Sequence, residues 1–233
     1  MTICLSKIIL RNLLSTVRNN EKYEAVHIAI TFLRTILNAT TYISSSFFTA
    51  LIRHRDGTTW GRIGTYFRND NAINRRDGFY IIPSFSGSRT FGHWYLNLIH
   101  ISDGRAKGFT IVSLGTSYGE EKEHIWNKLC EGFTIDANSE WNDIDCIHQT
   151  ELECGARTIW NMSLLCIGLR RHIPLPLILE KNQSIDDIPR EEAAVRIRRE
   201  VTTILQDQSC NALFQRVFAR TRDLQNTEEE HNT

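Results

Sequence analysis

The sequence predicts an α+β fold with a central, antiparallel-rich sheet flanked by helices. Three observations carry that prediction. Apolar residues recur at helical spacing through the first forty positions. Between 79 and 114 the rhythm changes to short apolar or alternating runs closed by turn residues. From 154 onward it returns to helical runs punctuated by prolines. Helices, then strands, then helices is the order of an α+β domain rather than a βαβ array.

Each element follows from local pattern. Leu5, Ile8, Ile9, Leu13, Leu14 and Val17 give residues 3–18 a helical rhythm, and a second helix is expected over 22–37, ending near Asn38. Residues 41–54 read as a short helix opened by Ser and Thr caps. Residues 55–78, rich in Gly, Asn, Arg and Asp, read as loop with an ordered piece from Trp60 to Phe67. The run at 79–83 reads as a buried strand stopped by Pro83. Residues 93–101 alternate, with Trp94, Leu96 and Leu98 on one face and His93, Tyr95, Asn97 and Ile99 on the other. A turn at Ser102-Asp103-Gly104 leads into a return strand over 108–114. An amphipathic helix is expected over 119–130, with Ile125, Trp126 and Leu129 inward, and an apolar one over 154–170, broken by Pro174 and Pro176. Pro189 suits the first turn of a helix through Leu205, and a last helix, 209–224, precedes an acidic tail. The division expected is a helical extension at 1–38, a main domain at 39–208, and a helix with a disordered acidic tail at 209–233.

Composition narrows the function classes. The chain has 233 residues, 41% hydrophobic and 23% charged, with 27 basic and 27 acidic side chains. A net charge of zero gives no field to draw nucleic acid or anionic membrane, so neither is expected as a partner. The basic pairs Arg75-Arg76, Arg170-Arg171 and Arg198-Arg199 read as solvated surface. The six cysteines are scattered without a C-x-x-C pair, which argues against structural zinc and against a disulfide scaffold. No metal or cofactor is expected. A reduced intracellular setting, nucleus or cytoplasm, suits this usage. Lys7 and Arg11 interrupt the apolar start, so no signal peptide is read, and no stretch reaches the ~20 apolar residues of a membrane span. A soluble monomer is expected.

The chemistry concentrates in HQTELECGARTIW, residues 148–160. Cys154 stands where a helical run begins. Unpaired backbone N–H groups and the positive end of the helix dipole favour a thiolate there, the form a nucleophile needs near neutral pH. Gly155 permits close backbone approach, so backbone N–H groups there are candidates to cradle an oxyanion. Gln149, five positions before Cys154, could add a side-chain amide. Each residue alone has a plainer explanation: a buried thiol, a loop glutamine, a histidine at a strand start.

Together, His93-Trp94 opening an apolar strand, a hairpin, and Gln149 shortly before Cys154-Gly155 resemble the ubiquitin-like-protein-specific cysteine proteases. These are the SUMO/NEDD8-type, or Ulp-like, enzymes, related to adenoviral proteinases and effector acetyltransferases. The resemblance covers roughly 40–205 and implies a papain-like/adenain-like fold. It implies His93 as base, Cys154 as nucleophile, Gln149 as oxyanion donor and Trp94 as a wall of the tunnel that admits a Gly-Gly tail. Tyr42-Ile43 takes the place of the family's substrate-side Trp-Leu. Glu153 stands where Asp usually precedes the cysteine. The family's orienting acid has no counterpart, because Val112 occupies the aligned position and valine forms no side-chain hydrogen bond. Ser113, Thr116 or water are left to orient His93, since Asp103 falls at the far end of the strand.

The expected function is a cysteine-type peptidase that cleaves after the Gly-Gly terminus of a ubiquitin-like modifier, in processing or deconjugation, with the modifier or its conjugates as partner. A second expectation is an impaired member that only binds such a modifier. A third is acyl transfer from an acyl-CoA, which no residue favours.

Overall fold

The computed structural model describes residues 19–44, 77–87, 92–103, 105–112, 140–145, 154–183 and 188–218. The helices expected at 3–18 and 119–130, most of the 55–78 loop and the acidic tail lie outside the described residues. In chain order the elements are α1 (Asn19–Arg34), β1 (Thr41–Ile43), β2 (Gly78–Gly87), β3 (Gly92–Ser102), β4 (Arg105–Val112), β5 (Glu140–Asp145), α2 (Cys154–Arg170), α3 (Leu175–Gln183) and α4 (Arg190–Asp207). α5 covers 211–218.

The strands form one five-stranded sheet in the order β1-β2-β3-β4-β5. β2, β3 and β4 make an antiparallel meander, while β1 joins β2 and β5 joins β4 in parallel. Ser102 pairs with Arg105 across a two-residue loop. Asp103 takes the left-handed conformation, φ 51°, that tight hairpins favour and Asp tolerates.

Three expectations need correction. Thr41–Ile43 is a strand, not the start of a helix. Its β-branched and aromatic residues pair with Phe79, Tyr80 and Ile81, and that tertiary partner outweighs the Ser/Thr capping signal. β2 runs through Pro83 to Gly87. The N–H of Phe79 donates toward β1, to Thr40, and the Ile81 carbonyl accepts from Ser44. By alternation the Pro83 nitrogen also faces that side, but β1 has ended at Ile43, so the missing N–H breaks no bond to it. β5 was not expected at all. Its sequence, EWNDID, is poor in strand formers, and its parallel partner is reached only by a long crossover.

Helix α2 matches its expected range, and its end is a Schellman turn. The Ile173 N–H donates to Gly168 O and the His172 N–H to Leu169 O, with His172 at φ 60° in place of the usual glycine. The two prolines that follow open α3 instead of leaving a loop, because first-turn N–H groups have no helical partner to lose.

The core joins α1 (Ala25, Ala29, Ile30, Leu33), one sheet face (Ile81, Phe85, Trp94, Leu96, Leu98, Ile111), α2, α4 (Ile197, Val201, Leu205) and α5 (Leu213, Phe214, Phe218) in one cluster. The segments expected as appendages at either end therefore share the core of the main domain. Every residue of α2 from Cys154 to Leu169 is buried, which makes it the central helix. The other sheet face carries a buried polar ladder: Asn97 donates to Ser84 Oγ at 2.9 Å and accepts from Thr110 Oγ1 at 2.9 Å. No helix among the described residues is long and apolar enough to cross a membrane.

Candidate active site

α2 begins at Cys154, so the thiol stands at the helix N-terminus, as its sequence implied. Its side chain is buried, at 0% exposure. Gly155 follows as the second helical residue, also buried.

The other end of the helix is tied to the segment that leads into β1. Asn38 donates its side-chain amide to Leu169 O at 3.2 Å. Asn38 lies just before Thr41, which is in register with Phe79, and Phe79 pairs with His100. The C-terminal end of α2 is thus level with the late part of β3. Of the described strands, β3 is the one α2 packs against most. From Leu169 back to Cys154 the helix spans about 22 Å at ~1.5 Å per residue. From His100 back to His93 the strand spans about 23 Å at ~3.3 Å per residue. The helix from Leu169 to Cys154 and the strand from His100 to His93 are thus of matching length.

His93 is the second residue of β3, opposite Ser86, and is 5% exposed. Trp94 turns to the α2 side, in one cluster with Cys154, its ring tilted against Phe85 at 5.2 Å. His93 alternates with it and shares the face of Tyr95 and Asn97, at the end of the ladder.

The remaining candidates divide. Gln149, Glu153, Ser113 and Thr116 lie outside the described residues. Val112 is the last residue of β4; continuing the register of Leu96 with Ile111 sets it level with Tyr95, one pleat from His93. Its partner on β5 is Asp145. Asp103 sits at the opposite end of β3, its backbone N–H donating to Asp77. Tyr42 stands away from the His93 end of the sheet. It pairs with Tyr80, six residues from the Ser86 partner of His93, or about 20 Å along the strand at ~3.3 Å per residue. There it stacks on Tyr80 at 5.0 Å and donates its hydroxyl to Ala39 O at 3.0 Å.

The structure adds a residue that the sequence reading passed over. Arg157, in the first turn of α2, is buried; its Nη2 donates to Asn182 O at 3.2 Å and its guanidinium lies 5.2 Å from the Trp160 ring centroid. The signal was present as a lone cation inside an otherwise apolar helix. Among the described residues no group of three or more His, Cys, Asp or Glu side chains is placed to hold a metal ion.

No protein-family model matches the chain, and neither does any curated protein. Solved structures do. One is the SUMO protease Ulp1 with its catalytic cysteine oxidised to a sulfinic acid, at 14% identity and TM-score 0.55, with 89% of this chain and 98% of that one covered. A de-sumoylating protease gives 14% identity and TM-score 0.53 over 98% and 93%. The catalytic domain of the Ulp1-like SUMO protease of Chaetomium thermophilum gives 18% identity and TM-score 0.54 over 84% and 76%. The chain therefore has the Ulp1-type, adenain-like protease fold.

Proposed function

From a chain with the Ulp1-type fold, we propose a cysteine peptidase that cleaves after the Gly-Gly terminus of a ubiquitin-like modifier. The observation that supports the reading is Cys154 at the N-terminus of α2, in one core cluster with Trp94, which follows His93 on β3. The fold neighbours named for SUMO proteolysis support the substrate class.

In this mechanism the Cys154 thiolate attacks the carbonyl of the terminal glycine. Backbone N–H groups at the start of α2, with Gln149, stabilise the oxyanion. His93 gives its proton to the departing amine, then takes one from water as that water attacks the thioester. The hydrolysis restores the thiol and releases the modifier with a free carboxylate. Trp94, a member of the same core cluster as Cys154, supports the wall along which the tail enters.

Val112 favours one other reading, a chain that binds the modifier without cleaving it, because an imidazole lacking an orienting carboxylate is a weaker base. A modifier carrying a C-terminal propargyl group separates the two. Covalent capture by the wild type and none by Cys154→Ala is the expected result; tight binding with no adduct in the wild type would leave only the binding role. A crystal structure with the Cys154 sulfur within about 4 Å of the His93 ring is the matching geometric result.

A further inference from the structure

We infer that the helical layer of α2, α4 and α5 presents an arginine surface that docks an acidic peptide segment of a protein partner. The inference does not depend on the reading of Cys154 given above.

The chain balances 27 basic against 27 acidic side chains, but not evenly along its length. Residues 154–183 and 188–218 together carry nine basic side chains and five acidic ones. The remainder of the chain is acidic by the same margin. Charge divided in this way gives one part of a neutral molecule a positive field.

Arg216 of α5 and Arg196 of α4 converge on one oxygen of Glu200, Oε1, at 3.1 and 3.2 Å. The Trp160 indole takes the other oxygen at 2.7 Å. One buried negative charge thus meets two cations, and both arginine side chains stay at least a third exposed. Arg199, exposed, stands three residues along α4 from Arg196. Two residues before Arg216 on α5, the Phe214 ring lies 5.2 Å from the guanidinium of Arg171, which reaches over from the end of α2. Arg170, Arg171 and Arg199 form no ion pair with a described residue. The exposed acids of α4 are Glu191 and Glu192 in its first turn and Asp207 at its end, and none of them pairs with these arginines.

The buried carboxylate and the aromatic ring hold Arg196, Arg216 and Arg171 in place. Cations fixed in advance give up little freedom when an anion arrives. A guanidinium fork matches a carboxylate in shape and charge. Two other occupants fit this surface less well. Single-stranded nucleic acid calls for exposed rings on which its bases stack, and Val195 is the only large apolar side chain exposed among the described residues. A two-fold dimer through this face would set arginine against arginine.

The test is the fluorescence anisotropy of a short labelled glutamate-rich peptide, titrated with the full chain at physiological ionic strength. Saturable binding is expected. Arg171→Gln and Arg199→Gln are each expected to weaken it about tenfold. Arg190→Gln, in the first turn of α4, is expected to leave it unchanged. Circular dichroism checks folding, and Arg199→Gln, at an exposed position, decides the matter if Arg171→Gln does not fold. Absence of saturable binding overturns the inference. An equal loss in Arg190→Gln does so too, because it marks a diffuse attraction and no site. Tighter binding of an oligothymidylate would assign the surface to nucleic acid. Self-association of the wild type that Arg171→Gln abolishes would assign it to a second copy of the chain. Either result overturns the proposal.

Discussion

The Trp160 indole N–H donates to the Glu200 carboxylate at 2.7 Å, deep between α2 and α4. The same carboxylate takes Arg196 from its own helix and Arg216 from α5. Three helices thus share one buried anion, and the helix that begins at Cys154 is one of them. Glu200→Ala leaves the buried indole donor unpaired and releases two partly exposed arginines, and is expected to cost about 1–3 kcal/mol. Glu200→Gln keeps an acceptor for Trp160 and is expected to cost less. Urea denaturation of both decides it; a midpoint unmoved in the alanine variant would show that the cluster adds nothing.

His93→Gln tests the base separately from the fold. Turnover of a modifier–peptide fusion is expected to fall by about 10²–10⁴-fold, the usual share of general acid–base catalysis. Propargyl capture at Cys154 is expected to slow but persist at higher pH, where the thiolate forms without a base. Full activity in this variant would remove His93 from the mechanism.

Gly168 lies where α2 meets α3. A Cβ there would approach Ile178 Cδ1 to 2.7 Å and Cγ1 to 2.8 Å. Gly168→Ala is therefore expected to destabilise the chain by about 1–3 kcal/mol through overpacking. Ile178→Val should recover part of the loss in the double variant. Additive thermal shifts from the two changes would contradict the contact.

Burial pushes the Cys210 thiol up to about 12, against which the Ser163 hydroxyl and Arg170 act weakly, and it pushes Cys166 up as well. Both are raised relative to the unfolded chain. Their contribution to stability is fully present below about pH 9 and declines as pH rises toward 12. Cys210→Ala should flatten that alkaline decline in a melting series. At pH 8, iodoacetamide should leave Cys166 and Cys210 unmodified in the folded chain, which mass spectrometry reads directly.

The sequence carried the central pieces of this arrangement because their signals are local. Apolar periodicity located α2, alternation located β3, and the Ser102-Asp103-Gly104 turn located the hairpin. The proposed pairing of Cys154 with His93 was carried by family resemblance alone, since residues 61 positions apart can meet only through the fold. β5 and β1 were missed for a related reason: both are parallel edge strands whose partners are distant and whose own residues are few or acidic. α3 was hidden because its two prolines look the same whether they end a helix or open one. Tyr42 was assigned by likeness to a motif, and the register that moves it down the sheet belongs to β2, not to its own segment.

Pro83 has a consequence for how copies of this chain meet one another. Among the described residues, β1 pairs with β2 only as far as Ile81. A bare strand edge normally offers a template on which a second molecule can add a strand, the first step toward aggregation. A proline with its nitrogen on that side denies the incoming strand a donor and places a ring in its path. The residue that seemed to end the strand lets it continue toward His93 while making its flank a poor seed for self-association.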